Sequence, residues 1–99
     1  MASKVSLSVN DVPIKLDYFV HEYIDHMVGG ILASLRDTSE IERLELSIDN
    51  EGQVTINLNN SAIPLKYFPN EIIKSTILGM VSTLKGVKEV DRLEITIDK

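Results

Sequence analysis

Residues 18–49 read YFVHEYIDHMVGGILASLRDTSEIERLELSID, and residues 67–98 read YFPNEIIKSTILGMVSTLKGVKEVDRLEITID. The two stretches align without a gap over 32 residues, at an offset of 49 positions. Where the residues differ, size and polarity are kept, as between Ser34 and Thr83. The chain therefore contains an internal repeat. Two copies predict pseudo-twofold symmetry within one domain rather than a solenoid, which needs about three or more repeats.

The repeat continues upstream of these stretches. Residues 5–10 match residues 54–59 at the same offset, and residues 12–15 match residues 63–66 after a two-residue insertion in the second copy. A chain of 99 residues favours one domain. We therefore predict a single domain over residues 1–99. It is built from two repeats, at residues 4–49 and 53–98.

Each copy predicts the order strand, strand, helix, strand. Val5, Leu7 and Val9 alternate with polar residues, which is the period of a strand with one buried face. The short second strand contains Pro13 or Pro64, and proline favours a sheet edge because it cannot donate to a ladder. The third strands are predicted at residues 44–48 and 93–97, and a hairpin turn at residues 49–52 joins the two copies. The two helices are predicted at residues 18–36 and 69–85.

These elements predict an α+β fold, a two-layer sandwich in which two helices cover one face of a mainly antiparallel six-stranded sheet. In residues 35–48 and 84–97 a helix ends, a short loop carries Ile41 or Val90, and an alternating strand follows. Those segments resemble ferredoxin-like domains such as the heavy-metal-associated family. The metal loop of that family needs two cysteines and this chain has none, so the resemblance implies a related fold but no metal transport.

Composition and charge narrow the classes of function. The net charge is −5, which disfavours nucleic-acid binding because that binding relies on basic residues. The absence of cysteine excludes thiolate metal sites and thiol nucleophiles. No apolar run is long enough for a membrane span, and the start of the chain lacks a secretory signal pattern. We expect a cytoplasmic protein with no membrane partner and no cofactor.

The densest set of titratable groups is on the first predicted helix. His21, Asp25 and His26 are the candidate metal ligands, since imidazole and carboxylate groups bind zinc. His21 and Asp25 are four residues apart, as are Glu22 and His26, so each pair can meet on the helix surface. The two histidines are five apart, unlike the spacing of a zincin motif. A solvated helix face with ion pairs is therefore the favoured interpretation, and a metal site is the alternative.

Two further features allow more than one interpretation. Gly30 and Gly79 lie inside the helices at equivalent positions, where glycine costs about 1 kcal/mol relative to alanine. We expect close packing there, with a groove or hinge as the alternative. Arg43 and Glu45 share a strand face, which favours cross-strand ion pairs over acid–base chemistry. Leu78 falls on the polar side of the second helix, where it is a candidate contact residue.

The sequence favours a non-enzymatic protein-interaction or regulatory module. A homodimer through an exposed strand edge or through Leu78 is one form of this hypothesis. The alternative is a small metabolite- or metal-binding protein that uses His21, Asp25 and His26. Catalysis is disfavoured because no constellation supplies a nucleophile, a base and a pocket together.

Overall fold

The computed structural model describes residues 4–35, 40–65 and 67–99, and at 67 and 68 the backbone alone. Eight elements follow one another along the chain. The six strands are β1 Lys4–Val9, β2 Val12–Ile14, β3 Arg43–Ile48, β4 Val54–Leu58, β5 Ser61–Ile63 and β6 Leu93–Asp98. The two helices are α1 Tyr18–Ser34 and α2 Tyr67–Val81.

The strands form one six-stranded sheet in the order β2-β1-β6-β3-β4-β5, and every neighbouring pair is antiparallel. Buried and exposed residues alternate along the four long strands, so one face of the sheet lies against the helices. Among the described residues, each helix contributes three buried apolar side chains at a spacing of four residues. They are Ile24, Val28 and Leu32 from α1 and Ile73, Ile77 and Val81 from α2. The α+β prediction, with a six-stranded antiparallel sheet and two helices, is confirmed.

The strand order reads the same after the two halves of the chain are exchanged. The central pair is β3 with β6, and in its register Leu46 lies opposite Ile95, its own counterpart at the 49-residue offset. The outer pairs also repeat, since Leu7 pairs with Ile14 as Ile56 pairs with Ile63. The two hairpins at the sheet edges therefore have identical registers.

Two asparagines fix these edge hairpins. Asn10 and Asn59 have positive φ angles of 51°, and the residues after them are also at positive φ, as a two-residue hairpin turn requires. The Asn59 Oδ1 accepts hydrogen bonds from the backbone N–H groups of Glu42 and Arg43, at 2.9 and 3.0 Å. Its Nδ2 donates to the Glu40 carbonyl. The side chain of Asn10 makes the same three bonds to the segment before β6.

The structure corrects predicted boundaries in the second half of the chain, where α2 begins at Tyr67 rather than residue 69. Pro64 lies after β5 rather than in it, because the two-residue turn starts the strand at Ser61, at the 49-residue offset from Val12 of β2. Helix α2 ends at Val81 rather than residue 85, since the hydroxyl groups of Ser82 and Thr83 hydrogen-bond to carbonyls of its last turn. The predicted end of α1 at residue 36 lies outside the described residues.

Leu78 is also corrected. It is half-buried and packs against the core, because the side of α2 that meets the sheet is wider than the apolar stripe of the sequence. It therefore offers no free apolar contact on the polar side of the helix.

Candidate functional site: the groove between the helices

The first predicted metal ligand, His21, has a structural partner. Strand β2 pairs only with residues 7–9, so it leaves the Val5 N–H uncovered at the end of β1. The Nε2 atom of His21 accepts a hydrogen bond from that N–H at 3.3 Å. On the other side of the ring, Nδ1 lies 3.1 Å from the Glu22 carboxylate. Both ring nitrogens therefore have partners within the chain.

In the second half of the chain, an asparagine makes the equivalent hydrogen bond. Asn70 is the counterpart of His21, and its Oδ1 accepts a hydrogen bond from the Val54 N–H at 2.9 Å. Its Nδ2 donates to the Gly52 carbonyl and to the Glu71 carboxylate. Asn70 is the one buried polar residue among those that the structure describes. The shared bond indicates that His21 completes the sheet edge.

The other two candidate ligands point to different surroundings. Asp25 lies on the sheet side of α1, where its side chain is 16% exposed and its carboxylate is 3.7 Å from the Lys99 Nζ. His26 is exposed and lies beside Phe19 and Tyr23. Within residues 4–35, 40–65 and 67–99, no group of three or more His, Asp or Glu side chains is placed to hold a metal ion. The polar side predicted for α1 is thus partly covered by the sheet.

The expectation of close packing at the paired glycines is wrong. A Cβ atom added to Gly30 or to Gly79 would meet no other part of the molecule within 4 Å. Neither glycine has a positive φ angle. Their cost in helix stability is therefore not offset by packing within the chain. Both glycines instead line an open groove between α1 and α2.

This interhelical groove has two halves that meet at Met27 and Thr76. In one half, of about 420 Å³, Phe19 and Tyr23 of α1 face Gly79 of α2. In the other, of about 480 Å³, Ile72 of α2 faces small residues of α1. The two linings correspond almost residue for residue at the 49-residue offset. Each half thus places bulky side chains from the start of one helix opposite exposed small residues near the end of the other. The larger residues of those helix ends that also line the groove are half-buried, namely Ile31, Leu35, Met80 and Leu84.

Large apolar side chains remain exposed along the rims of the groove. Phe19 is 71% exposed, Tyr23 50% and Ile72 49%. The rings of Phe19 and Tyr23 contact each other with centroids 5.9 Å apart, so they form one aromatic ridge. The described lining residues include no carboxylate, imidazole, amino or guanidinium group. This chemistry suits apolar contact and offers no acid–base pair.

The opposite face of the sheet is polar and carries ion pairs. Arg43 contacts Asp98 across the central strand pair at 2.6 Å, and its Nε lies 3.8 Å from Glu45. The predicted cross-strand ion pair is confirmed at Arg43. Its counterpart Arg92 pairs instead with Asp11 in the edge hairpin. The hydrogen bond from Arg92 holds the pKa of Asp11 below its ordinary value.

Comparisons with protein-family models, with curated proteins and with solved structures give no match to this chain. Over the described part of the chain, neither helix is long and apolar enough to cross a membrane. The function is therefore argued from the geometry of the groove.

Proposed function

We propose that this protein is a non-catalytic protein-interaction module and that its interhelical groove binds the apolar surface of a protein partner. The observation that carries the proposal is the pair of mid-helix glycines in the open groove. Each costs about 1 kcal/mol of helix stability, and no packing within the chain offsets that cost. A partner that approaches the helix backbone closely would offset it.

The size and chemistry of the surface support a protein partner. The molecule measures 35 × 34 × 19 Å. A broad face of these dimensions covers on the order of 1,000 Å², which is comparable with the ~800 Å² that each partner buries in a standard interface. Exposed aromatic residues such as Phe19 and Tyr23 are typical of interface anchors.

Site-specific photo-crosslinking in cells tests this proposal. A benzoylphenylalanine residue replaces Tyr23 on the rim of the groove, and a matched variant carries it at Thr55 on the polar face of the sheet. We expect covalent protein adducts, identified by mass spectrometry, at position 23 and not at position 55. Equal adducts at both positions, or none at position 23, would overturn the proposal.

The two halves also support a proposal about origin, that one ββαβ unit was duplicated. The ungapped sequence match, the equal hairpin registers and the shared roles of His21 and Asn70 support it. The ferredoxin-like relation stays a prediction. Reconstructed single-repeat sequences that assemble into a two-chain version of this sheet would support the duplication, and reconstructed repeats that stay unfolded would contradict it.

Two further expectations stay predictions. The cytoplasmic location is tested by fractionation of cells that express the protein. The alternative function, metal or metabolite binding at His21, Asp25 and His26, is tested by the zinc titration described in the Discussion.

A further inference from the structure

We infer that the partner in the groove is a second copy of this chain, and that α1 of one copy packs antiparallel over α2 of the other. This inference rests on the proposed function and names its partner. It replaces the sequence-based expectation of a dimer through a strand edge or Leu78.

The shape of the helix layer is complementary to itself. Helix α1 is bulky in its first half, at Phe19 and Tyr23, and small in its second, at Gly30. Helix α2 repeats the order, with Ile72 before Gly79. When two copies stack with their helices antiparallel, the bulky half of each helix lies over the small half of its partner. A twofold dimer uses the same patch on both subunits, which such a surface allows.

The strand edges offer a poorer route to a dimer. Each edge strand has only three residues, and short edges are a common protection against pairing with another chain. The central residue of β2 is Pro13, which lies opposite Ser8. The next pair, Val9 with Val12, closes the hairpin and is hydrogen-bonded, so the Ser8–Pro13 pair is not. Its nitrogen therefore faces outward and carries no hydrogen to donate.

Charge decides between the two possible antiparallel arrangements. Helix α1 contains Glu22 and Asp25 and no lysine or arginine. Helix α2 contains Glu71 and Lys74, whose side chains form an ion pair at 3.0 Å. Stacking α1 on its own copy would bring the Glu22 carboxylates of the two copies to the same interface without a lysine or arginine from either helix, whereas Asp25 lies on the sheet side beside Lys99. Stacking α1 on α2 of the partner avoids this repulsion, which at an interface costs specificity and association rate.

Sedimentation equilibrium of the purified chain tests the dimer. We expect the mass to approach that of two 11.1 kDa chains as the concentration rises. Tyr23→Glu should weaken association at least tenfold, whereas Thr55→Glu on the polar face should not. Gly79→Ala should also weaken association, even though its monomer is stabilised. A monomer at every concentration would overturn the inference.

Disulfide trapping tests the arrangement, and the absence of native cysteine gives a clean background. Met27→Cys and Thr76→Cys lie at the middle of the groove, where the two halves meet. The two variants are labelled with different nitrogen isotopes, mixed and mildly oxidised. We expect crosslinks between the two variants to exceed crosslinks within either one. An excess of crosslinks within one variant would place α1 over α1 and overturn the arrangement.

The photo-crosslinking experiment separates the failure of this inference from failure of the proposed function. Adducts between two copies of the chain support both. Adducts at Tyr23 with a different protein leave the groove as an interaction site and overturn the second copy as its occupant. The absence of protein adducts at Tyr23 overturns both.

Discussion

At the scale of residues, His21 and Asn70 have the same structural role in the two halves of the chain. His21 and Asn70 differ in chemistry, yet each presents an acceptor to an N–H that the short edge strand leaves uncovered. Sequence comparison predicted neither role, because histidine and asparagine look like an unrelated substitution until the backbone places both beside the same N–H. The prediction of close packing at the glycines is wrong for a related reason, since spacing along a helix does not say which face has a neighbour.

Alanine at the groove glycines should stabilise the monomer. Gly30→Ala and Gly79→Ala each add a methyl group in open space and improve helix propensity, so we expect a gain of about 0.5–1 kcal/mol. Urea unfolding at a concentration that keeps the chain monomeric measures this gain. Gly52→Ala is the control and should destabilise, because its φ is +80° and its Cβ would lie 3.1 Å from Lys74. Loss of stability in both groove variants would contradict the open-groove geometry.

His21 should be replaceable by asparagine but not by alanine. Asparagine supplies an acceptor for the Val5 N–H as Asn70 does for Val54, whereas alanine leaves that N–H without a partner in the chain, at a cost of about 1–2 kcal/mol. Urea unfolding of the two variants measures the difference. The same samples, with His26→Ala added, serve for zinc titration by calorimetry. We expect wild type and variants to behave alike, and stoichiometric zinc bound only by wild type would instead favour the metal hypothesis.

At the scale of elements, the hairpins were predictable and the outer helix surfaces were not. Alternating strands and the turn at residues 49–52 follow from local patterns that the sheet then uses. The apolar stripe of each helix does not coincide with the part that meets the sheet. Tyr23 and Ile72 belong to that stripe but lie on the rims of the groove. The four-residue spacing of the buried helix residues could have distinguished the residues that meet the sheet from those that line the groove, because Tyr23 and Ile72 are out of register with it.

The edge hairpins allow a matched pair of substitutions. Asn59→Gly keeps the positive φ but removes three side-chain hydrogen bonds to residues 40–43, so we expect a loss of about 1–3 kcal/mol. Asn60→Gly, one residue on, also keeps a positive φ of 69° and should change stability by less than about 0.5 kcal/mol. Thermal or urea unfolding compares the two variants. Equal losses would show that the turn conformation matters and the side-chain bonds do not.

At the scale of the whole molecule, the sheet divides two surfaces of different character. One face is polar and carries ion pairs, and the other holds the helices and their groove. The strand order could not be predicted, because all four long strands have the same alternating pattern and any of them fits the centre. The pairing of Leu46 with Ile95 at the midpoint is a property of the assembled sheet.

The ion pairs should make stability depend on pH in the acidic range. The hydrogen bond from Arg92 lowers the pKa of Asp11, and that from Lys74 lowers the pKa of Glu71. A carboxyl group whose pKa is lower in the folded state stabilises the fold above its unfolded pKa, and this contribution is lost as the pH falls through the folded value. We therefore expect the free energy of unfolding to decrease from about pH 5 downward.

Asp11→Asn checks this dependence, since asparagine occupies the equivalent position 60 at a similar positive φ. The variant should lose less stability than wild type between about pH 5 and pH 2.5, as measured by urea unfolding at each pH. An unchanged slope would show that the Asp11–Arg92 pair does not contribute to acid unfolding.

The symmetric register of the sheet has a consequence for chain connectivity. Val5 lies opposite Ile97 just as Val54 lies opposite Ile48, so the gap between the last and first strands matches the loop at residues 49–53. A circular permutant can therefore begin at Gln53, run to Lys99, continue through Glu-Gly and end with residues 4–49. We expect it to fold to the same sheet, with a cooperative urea transition and the circular dichroism spectrum of wild type. In this topology either half can be synthesised first, because the chain termini can lie either between β6 and β1 or between β3 and β4.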